Sequence, residues 1–362
     1  MQPFQLLLKP VSSNCNAACK YCFYRKTPHL VSNPLKKRMA DALLRLIIRK
    51  YLALRFPENT FIWQGGEPTL AGLEFFKRVA EFQEAYGENQ SVCNAIQTNG
   101  LLIDEDWARF FKEFHFQVGI SLDGPRHIHE NARGSFDRVI QAIELLRTYE
   151  VPYNILCVLH SDNVNHIEEI YAFLKDYATF IQFIPALDND IDNRPAKYSI
   201  SADQYARALC TLFDLWKNVD STTVSIQLFD TMINKFLGHN AGLCTLQPRC
   251  PQYLVIESGG EVFPCDFFVR SSTMLGNITD ISFKELLQRR QEVFGAKKVD
   301  LDEECVTCKW LRFCYGGCTK DREYSLNQFS KRSYFCQAYK RFFEHTYQWF
   351  EEKSREIMRV YY

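Results

Sequence analysis

Short apolar runs alternate with stretches whose apolar positions repeat at helical spacing over the first two thirds of the chain. The runs Phe4–Leu8, Thr60–Trp63, Val92–Gln97, Gln117–Leu122, Asn154–Leu159 and Phe180–Ile184 read as strands. Between them, Met39–Leu54, Leu73–Tyr86, Glu105–Glu113, Phe136–Tyr149 and Ile167–Tyr177 carry apolar residues every three or four positions, often with Asp or Glu in the first turn. Six βα units imply a parallel sheet, because each strand needs a crossover to run the same way as its neighbour. The architecture expected is α/β: a partial (β/α)6 TIM-type barrel.

Polar motifs follow several of these runs. Gln64-Gly65-Gly66-Glu67-Pro68 comes after the second, Gln97-Thr98-Asn99-Gly100 closes the third, Ser121 and Asp123-Gly124-Pro125 close the fourth, and Pro185-Ala186-Leu187 follows the sixth. In such barrels chemistry gathers at the carboxyl ends of the strands.

Beyond about residue 237 the helical period fades, and cysteine, glycine and aromatic residues crowd between Cys244 and Cys336. Leu254–Ile256, the Ser258-Gly259-Gly260 turn and Val262–Phe263 read as a β-hairpin whose returning arm delivers Cys265 and Asp266. The tail 339–362 reads as an amphipathic helix packed on the body. The division expected is a barrel over 1–236, a cysteine-rich auxiliary domain over 237–338 and a C-terminal helix over 339–362. No repeat of 20 to 50 residues is evident.

Composition narrows the chemistry. The 362 residues are 46% hydrophobic, enough for a large core, and Lys plus Arg equals Asp plus Glu at 43 each. No charge excess argues for nucleic acid or an anionic membrane. Neither a secretory leader nor an apolar run long enough to span a bilayer is present, so a cytoplasmic location is expected. Fourteen cysteines in a reducing compartment favour metal over disulfides, and eleven of them are clustered. Cys93, Cys157 and Cys210 stand apart and read as small buried hydrophobes.

The densest cluster is Cys15-Asn16-Ala17-Ala18-Cys19-Lys20-Tyr21-Cys22, in a loop just after the first strand. Three thiolates at this spacing can hold three irons of a [4Fe–4S] cube and leave the fourth open. A structural zinc site is the weaker reading, since it is normally closed by four Cys or His ligands. This CxxxCxxC run, followed by the aromatic Phe23, resembles the signature of the radical S-adenosylmethionine superfamily. That resemblance implies an open iron that chelates S-adenosylmethionine and passes it one electron, giving a 5′-deoxyadenosyl radical.

The later cysteines sort into two sets of four. Cys244, Cys250 and Cys265, at spacings of five and fourteen, form one set with Cys318, and Cys305, Cys308, Cys314 and Cys336 form the other. Taken alone, Cys305-x-x-Cys308 would also suit a zinc ribbon. The interleaved order resembles the SPASM extension of radical S-adenosylmethionine enzymes, which implies two auxiliary [4Fe–4S] clusters, three in all. Four thiolates per auxiliary cluster leave no open iron, so electron transfer is their expected task.

Within the superfamily the chain resembles anaerobic sulfatase-maturating enzymes. The likeness runs through Leu-Leu-Leu-Lys-Pro at 6–10, Cys15 to Tyr24, Trp63 to Gly72, Gln97 to Gly100, Tyr153 to Cys157, Phe263 to Phe267 and Cys314 to Cys318. The chain departs from the family pattern at Gln247-Pro248-Arg249 and Ala186. The resemblance implies oxidation of a Cys or Ser of an unfolded sulfatase polypeptide to Cα-formylglycine without oxygen, with a reductant such as flavodoxin or ferredoxin. Tyr21, Gly66, Ser121, Arg133 and Leu187 are then the cofactor contacts, with Glu67 a further acceptor. Tyr24 and Gln64 are placed near the peptide, Asn99 supports the same pocket, and Asp266 is the base. A free thiol holds its proton to about pH 8.5 and an ordinary Asp to about 4. Desolvation of Asp266 or acidification of the substrate radical is therefore expected to close the gap. His129 and Asp123 are read as hydrogen bonders that organise a loop. Two other activities fit parts of the pattern: thioether formation on ribosomal peptides, often with an added peptide-recognition domain, and a non-catalytic iron–sulfur electron carrier.

Overall fold

In a computed structural model, which describes residues 1–26, 38–190, 192–239 and 242–361, the apolar runs form strands. They are β1 Gln5–Leu8, β2 Glu58–Trp63, β3 Ser91–Thr98, β4 Gln117–Ser121, β5 Tyr153–Leu159, β6 Phe180–Pro185 and β7 Ser225–Ile226. The later chain adds β8 Tyr253–Ile256, β9 Glu261–Phe263 and β10 Gly276–Asn277. The expected helices appear as α1 Asp41–Leu52, α2 Leu73–Tyr86, α3 Glu105–Glu113, α4 Phe136–Thr148 and α5 Ile167–Leu174. Periodicity did not single out α6 Ala202–Trp216, α7 Gln227–Phe236 or α8 Phe283–Arg290, and the tail helix, α9, runs from Cys336 to Tyr361.

Two compact units interleave along the chain. One comprises Met1–Ser121, Arg133–Tyr153 and Gln252–Gly295, the other Leu122–Ala132, Asn154–Pro251 and Ala296–Tyr362. The contacts thus do not divide the chain at 236/237, where composition changes. The reason is strand pairing: β8 runs parallel to β1 in the register Leu6↔Leu254, so the hairpin joins the first unit although most of the chain lies between the two strands.

In the first unit the strands lie in the order β10-β9-β8-β1-β2-β3-β4. The parallel ladders Leu6↔Phe61 and Ile62↔Ala95 place β1 and β2 inside the sheet. Leu6 and Leu8 on β1, and Phe61 and Trp63 on β2, are alternate residues sharing one face of their strand, and all four are fully buried. Helix α1 turns Leu44, Ile47, Ile48, Tyr51 and Leu52 inward, and Phe4 and Phe56 meet the Tyr51 ring edge-on. Asn94 satisfies the buried Trp63 indole N–H at 2.9 Å and pairs with Gln83.

In the second unit β5, β6 and β7 are parallel. A Ser201/Gln204 capping box starts α6. Helix α9 packs on α6 and α7 through Phe213, Trp216, Phe229, Phe342, Trp349 and Phe350. Among the described residues no helix is long and apolar enough to cross a membrane.

Candidate active site

The cysteine loop leaves the carboxyl end of β1 and is held from three sides. Ser12 turns the chain with a left-handed φ of 48°, and its hydroxyl lies 2.8 Å from that of Ser258 in the hairpin turn. After β2, the Gly66 and Glu67 N–H groups donate to Ser12 O and Asn14 O at 2.7 and 2.9 Å. A Cβ on Gly66 would stand 2.0 Å from Asn14 O, so only glycine permits this approach. After β3, Asn99 Nδ2 donates to Asn16 Oδ1 at 2.8 Å and its backbone N–H to Glu67 Oε2 at 2.7 Å.

Glu67 has a task other than the acceptor role expected of it. Fully buried, its carboxylate receives Thr69 N, Thr69 Oγ1, Thr98 Oγ1 and Asn99 N, all within 3.0 Å. It braces the two loops that support the cysteines. Asn99 likewise points at the cysteine loop, with Nδ2 3.8 Å from Cys15 Sγ.

Burial pushes the Cys15 thiol up, and the charges of Glu67, Cys19 and Cys22 push it the same way. A buried Cys15 thiol crowded by Cys19 and Cys22 suits a cationic cluster better than a free thiolate. Beside them, Arg133 Nε donates to the Tyr21 hydroxyl at 2.9 Å and its guanidinium lies 5.4 Å from the ring centre. Ser121, at the end of β4, accepts from Gln97 Nε2 at 3.1 Å.

A charged cage forms from residues that follow β1, β2, β8 and β9 in the chain. Lys9, with its side chain 1% exposed, is ion-paired to Asp266, lies 3.7 Å from Glu257 Oε1 and stands 3.6 Å from the Tyr24 ring centre. Tyr24 donates its hydroxyl to Glu257, and Gln64 Nε2 donates to Asp266 Oδ2 at 2.8 Å. Burial, then the Glu257 charge, holds the Tyr24 phenol well above its ordinary range. Tyr253 joins Asp266 to its neighbour, donating its hydroxyl to Cys265 Sγ at 3.0 Å while accepting the Asp266 N–H at 3.3 Å. Asp266 is thus ion-paired and hydrogen-bonded, not isolated in an apolar pocket as desolvation alone would have it. Sequence reasoning missed Lys9 and Glu257. The available signal was position, a charged residue at the carboxyl end of each of two apolar strands.

In the second unit Cys305, Cys308, Cys314 and Cys336 line one cavity, with Trp310 and Phe343 among its walls. Burial, then the nearby Cys336, Cys305 and Cys308 charges, pushes the Cys314 thiol up to about 11. Among the described residues no three such side chains converge as ligands of a single ion. Arrangement around a cavity suits a cube, whose corners spread its thiolates, better than one zinc with ligands about 2.3 Å away. Cys244, Cys250 and Cys318 share the buried Lys298, whose ammonium donates to Thr245 O and Gly317 O at 2.7 and 2.6 Å. The fourth expected member of that set, Cys265, belongs to the first unit. Leu187 is buried, and its carbonyl accepts from Lys320. Asp123 and His129 do organise a loop: Asp123 N donates to His129 Nδ1 at 3.3 Å and Val158 N to Asp123 Oδ1 at 3.0 Å. Cys157 is buried, Cys210 half-buried, and Cys93 exposed, so the last is no core residue.

Family comparison agrees with this arrangement. The radical SAM superfamily signature matches residues 10–174, and that of the SPASM iron–sulfur cluster-binding domain matches 244–309. The cysteine-type anaerobic sulfatase-maturating enzyme of Clostridium perfringens (strain 13 / Type A) is 38% identical over 96% of this chain and 97% of its own. This chain belongs to the anaerobic sulfatase-maturating enzymes. It therefore has the mixed α/β partial barrel of radical SAM enzymes with a cysteine-rich SPASM domain. Both branches of the sulfatase-maturating family are similar to it, for the serine-type enzyme of Bacteroides thetaiotaomicron is 32% identical over 99% of this chain and 92% of its own. A solved structure of native anSMEcpe with bound AdoMet and Cp18Cys peptide superposes with a TM-score of 0.90, at 37% identity, covering 98% of this chain and 100% of that one.

Proposed function

We propose that this chain oxidises one cysteine or serine of an unfolded sulfatase polypeptide to Cα-formylglycine without oxygen. The observation that carries this reading is Asp266, next to Cys265 in the chain, held by Lys9 and Gln64 beside Tyr24 and Glu257. Relatives named as sulfatase-maturating enzymes, and the related structure with AdoMet and a peptide bound, support it.

Cys15, Cys19 and Cys22 would hold a [4Fe–4S] cluster. Cys244, Cys250, Cys265 and Cys318 would hold a second, and Cys305, Cys308, Cys314 and Cys336 a third. Bound there with S-adenosylmethionine, these groups supply a hydrogen-abstracting 5′-deoxyadenosyl radical and an electron acceptor, the first electron coming from a donor such as flavodoxin or ferredoxin.

The side chains do the rest. Arg133, steadied by Tyr21, gives the cofactor carboxylate a charge-assisted partner. Gly66, Ser121 and Leu187 complete that contact set, and Tyr24 and Gln64 place the peptide. Asp266 takes the substrate thiol or hydroxyl proton. Loss of one hydrogen atom, one proton and one electron turns CH2–OH into an aldehyde and CH2–SH into a thioaldehyde, which water converts to the aldehyde with release of hydrogen sulfide.

Anaerobic turnover of paired sulfatase peptides, identical but for cysteine or serine at the target, tests the reading by mass spectrometry. Aldehyde formed in step with 5′-deoxyadenosine is the expected result. A thioether product, or cofactor cleavage with no aldehyde from either peptide, overturns it.

A further inference from the structure

The cage around Asp266 holds one cation against two carboxylates. Lys9 touches Asp266 and lies 3.7 Å from Glu257, and both Lys9 and Glu257 are nearly inaccessible to water. The Tyr24 hydroxyl is committed to Glu257, so Asp266 has Lys9 and Gln64 as its side-chain partners. A buried and a partly buried carboxylate sharing one ammonium repel each other unless that ammonium stays between them. Removing the cation would leave uncompensated buried charge, the costly half of a broken ion pair.

We propose that Lys9 is a positioning residue of this enzyme: its ammonium fixes the Asp266 carboxylate beside Gln64 and screens it from Glu257. The proposal rests on the formylglycine reading, in which Asp266 takes the substrate proton. Lys9 itself touches no reacting atom; it acts through Asp266. Its removal therefore separates two products of one turnover, because radical generation does not need an ordered Asp266 and aldehyde formation does.

Three variants test this by iron content, 5′-deoxyadenosine and aldehyde: Lys9→Met, Glu257→Gln and the double variant. Lys9→Met should keep its iron and still cleave the cofactor, while aldehyde per 5′-deoxyadenosine falls ~10- to 100-fold, less than the ~10²- to 10⁴-fold of an outright loss of the general base. Glu257→Gln alone leaves Asp266 paired to Lys9, so aldehyde per 5′-deoxyadenosine should fall less than in Lys9→Met. The double variant should recover ~5-fold or more over Lys9→Met, because the repelling charge has gone; such non-additivity marks direct coupling. A purely structural lysine predicts additive losses and no recovery.

Parent-like coupling in Lys9→Met, or a double variant no better than the single one, overturns the proposal. A parent that makes no aldehyde overturns the functional reading and takes the proposal with it. If Lys9→Met does not assemble its clusters, Lys9→Gln, uncharged but able to hydrogen-bond, replaces it. Should neither assemble while the double variant does, that rescue supports the screening role. If all fail, Lys9 is a folding residue and the proposal falls.

Discussion

The Glu67 carboxylate accepts the Asn99 backbone N–H at 2.7 Å, and through this bond the loop after β2 grips the loop after β3. Because Asn99 also reaches Asn16, the two loops and the cysteine segment form one hydrogen-bonded body. The motif Gly65-Gly66-Glu67-Pro68 is thereby a support for the cluster loop.

Replacing Glu67 with Ala should cost about 2–4 kcal/mol, because several buried donors lose a charged acceptor together. Denaturant unfolding of the anaerobic holoenzyme measures this. A loss below ~1 kcal/mol would show that water or a neighbour takes over the donors.

The same residue predicts a pH dependence. Burial raises Glu67 above its ordinary 4.5, against the lowering effect of its hydrogen bonds. A raised folded-state value contributes stability that is full below the unfolded value and is lost as pH climbs through the folded one. The stability advantage of the parent over Glu67→Gln should therefore shrink as pH rises from 4.5. Urea midpoints across that window check the sign; an advantage that grows with pH contradicts it.

Tyr21→Phe removes the hydroxyl that receives Arg133 Nε at 2.9 Å. With its guanidinium unsteadied, S-adenosylmethionine should bind ~10-fold more weakly, about one hydrogen bond's worth. Equilibrium dialysis reads this directly, and unchanged affinity would mean that the contacts left to Arg133 hold it well enough.

Asp266→Asn keeps the shape of the side chain but cannot accept a proton as a carboxylate does. Aldehyde yield should fall ~10²- to 10⁴-fold while 5′-deoxyadenosine still forms. Near-parent aldehyde would reduce Asp266 to a structural neighbour of Cys265, and loss of all cofactor cleavage would assign it to cluster assembly.

Eleven clustered thiols predict about twelve irons per chain after anaerobic reconstitution. Changing Cys15, Cys19 and Cys22 to Ala should remove roughly a third of that iron and abolish cofactor cleavage. A parent near four irons would rule out the two auxiliary clusters.

What the sequence determined by itself was local. Strands β1 to β6 and helices α1 to α5 were legible because side-chain periods of two and 3.6 repeat within a few residues. The cysteine spacing was legible for the same reason, since CxxxCxxC is a short-range pattern. Asp266 could be singled out because it adjoins Cys265.

Tertiary structure decided what lies between residues far apart in the chain. Lys9 meets Asp266 and Glu257 only because β1 pairs with β8, a register no local period encodes. That pairing also explains why the compact units ignore the compositional boundary near 237. Glu67 looked available in the sequence and proved enclosed, because the donors that occupy it come from the loop after β3 as well as its own. Charge, period and spacing name the groups, but which group neutralises which depends on strand order, and strand order exists only once the chain has folded.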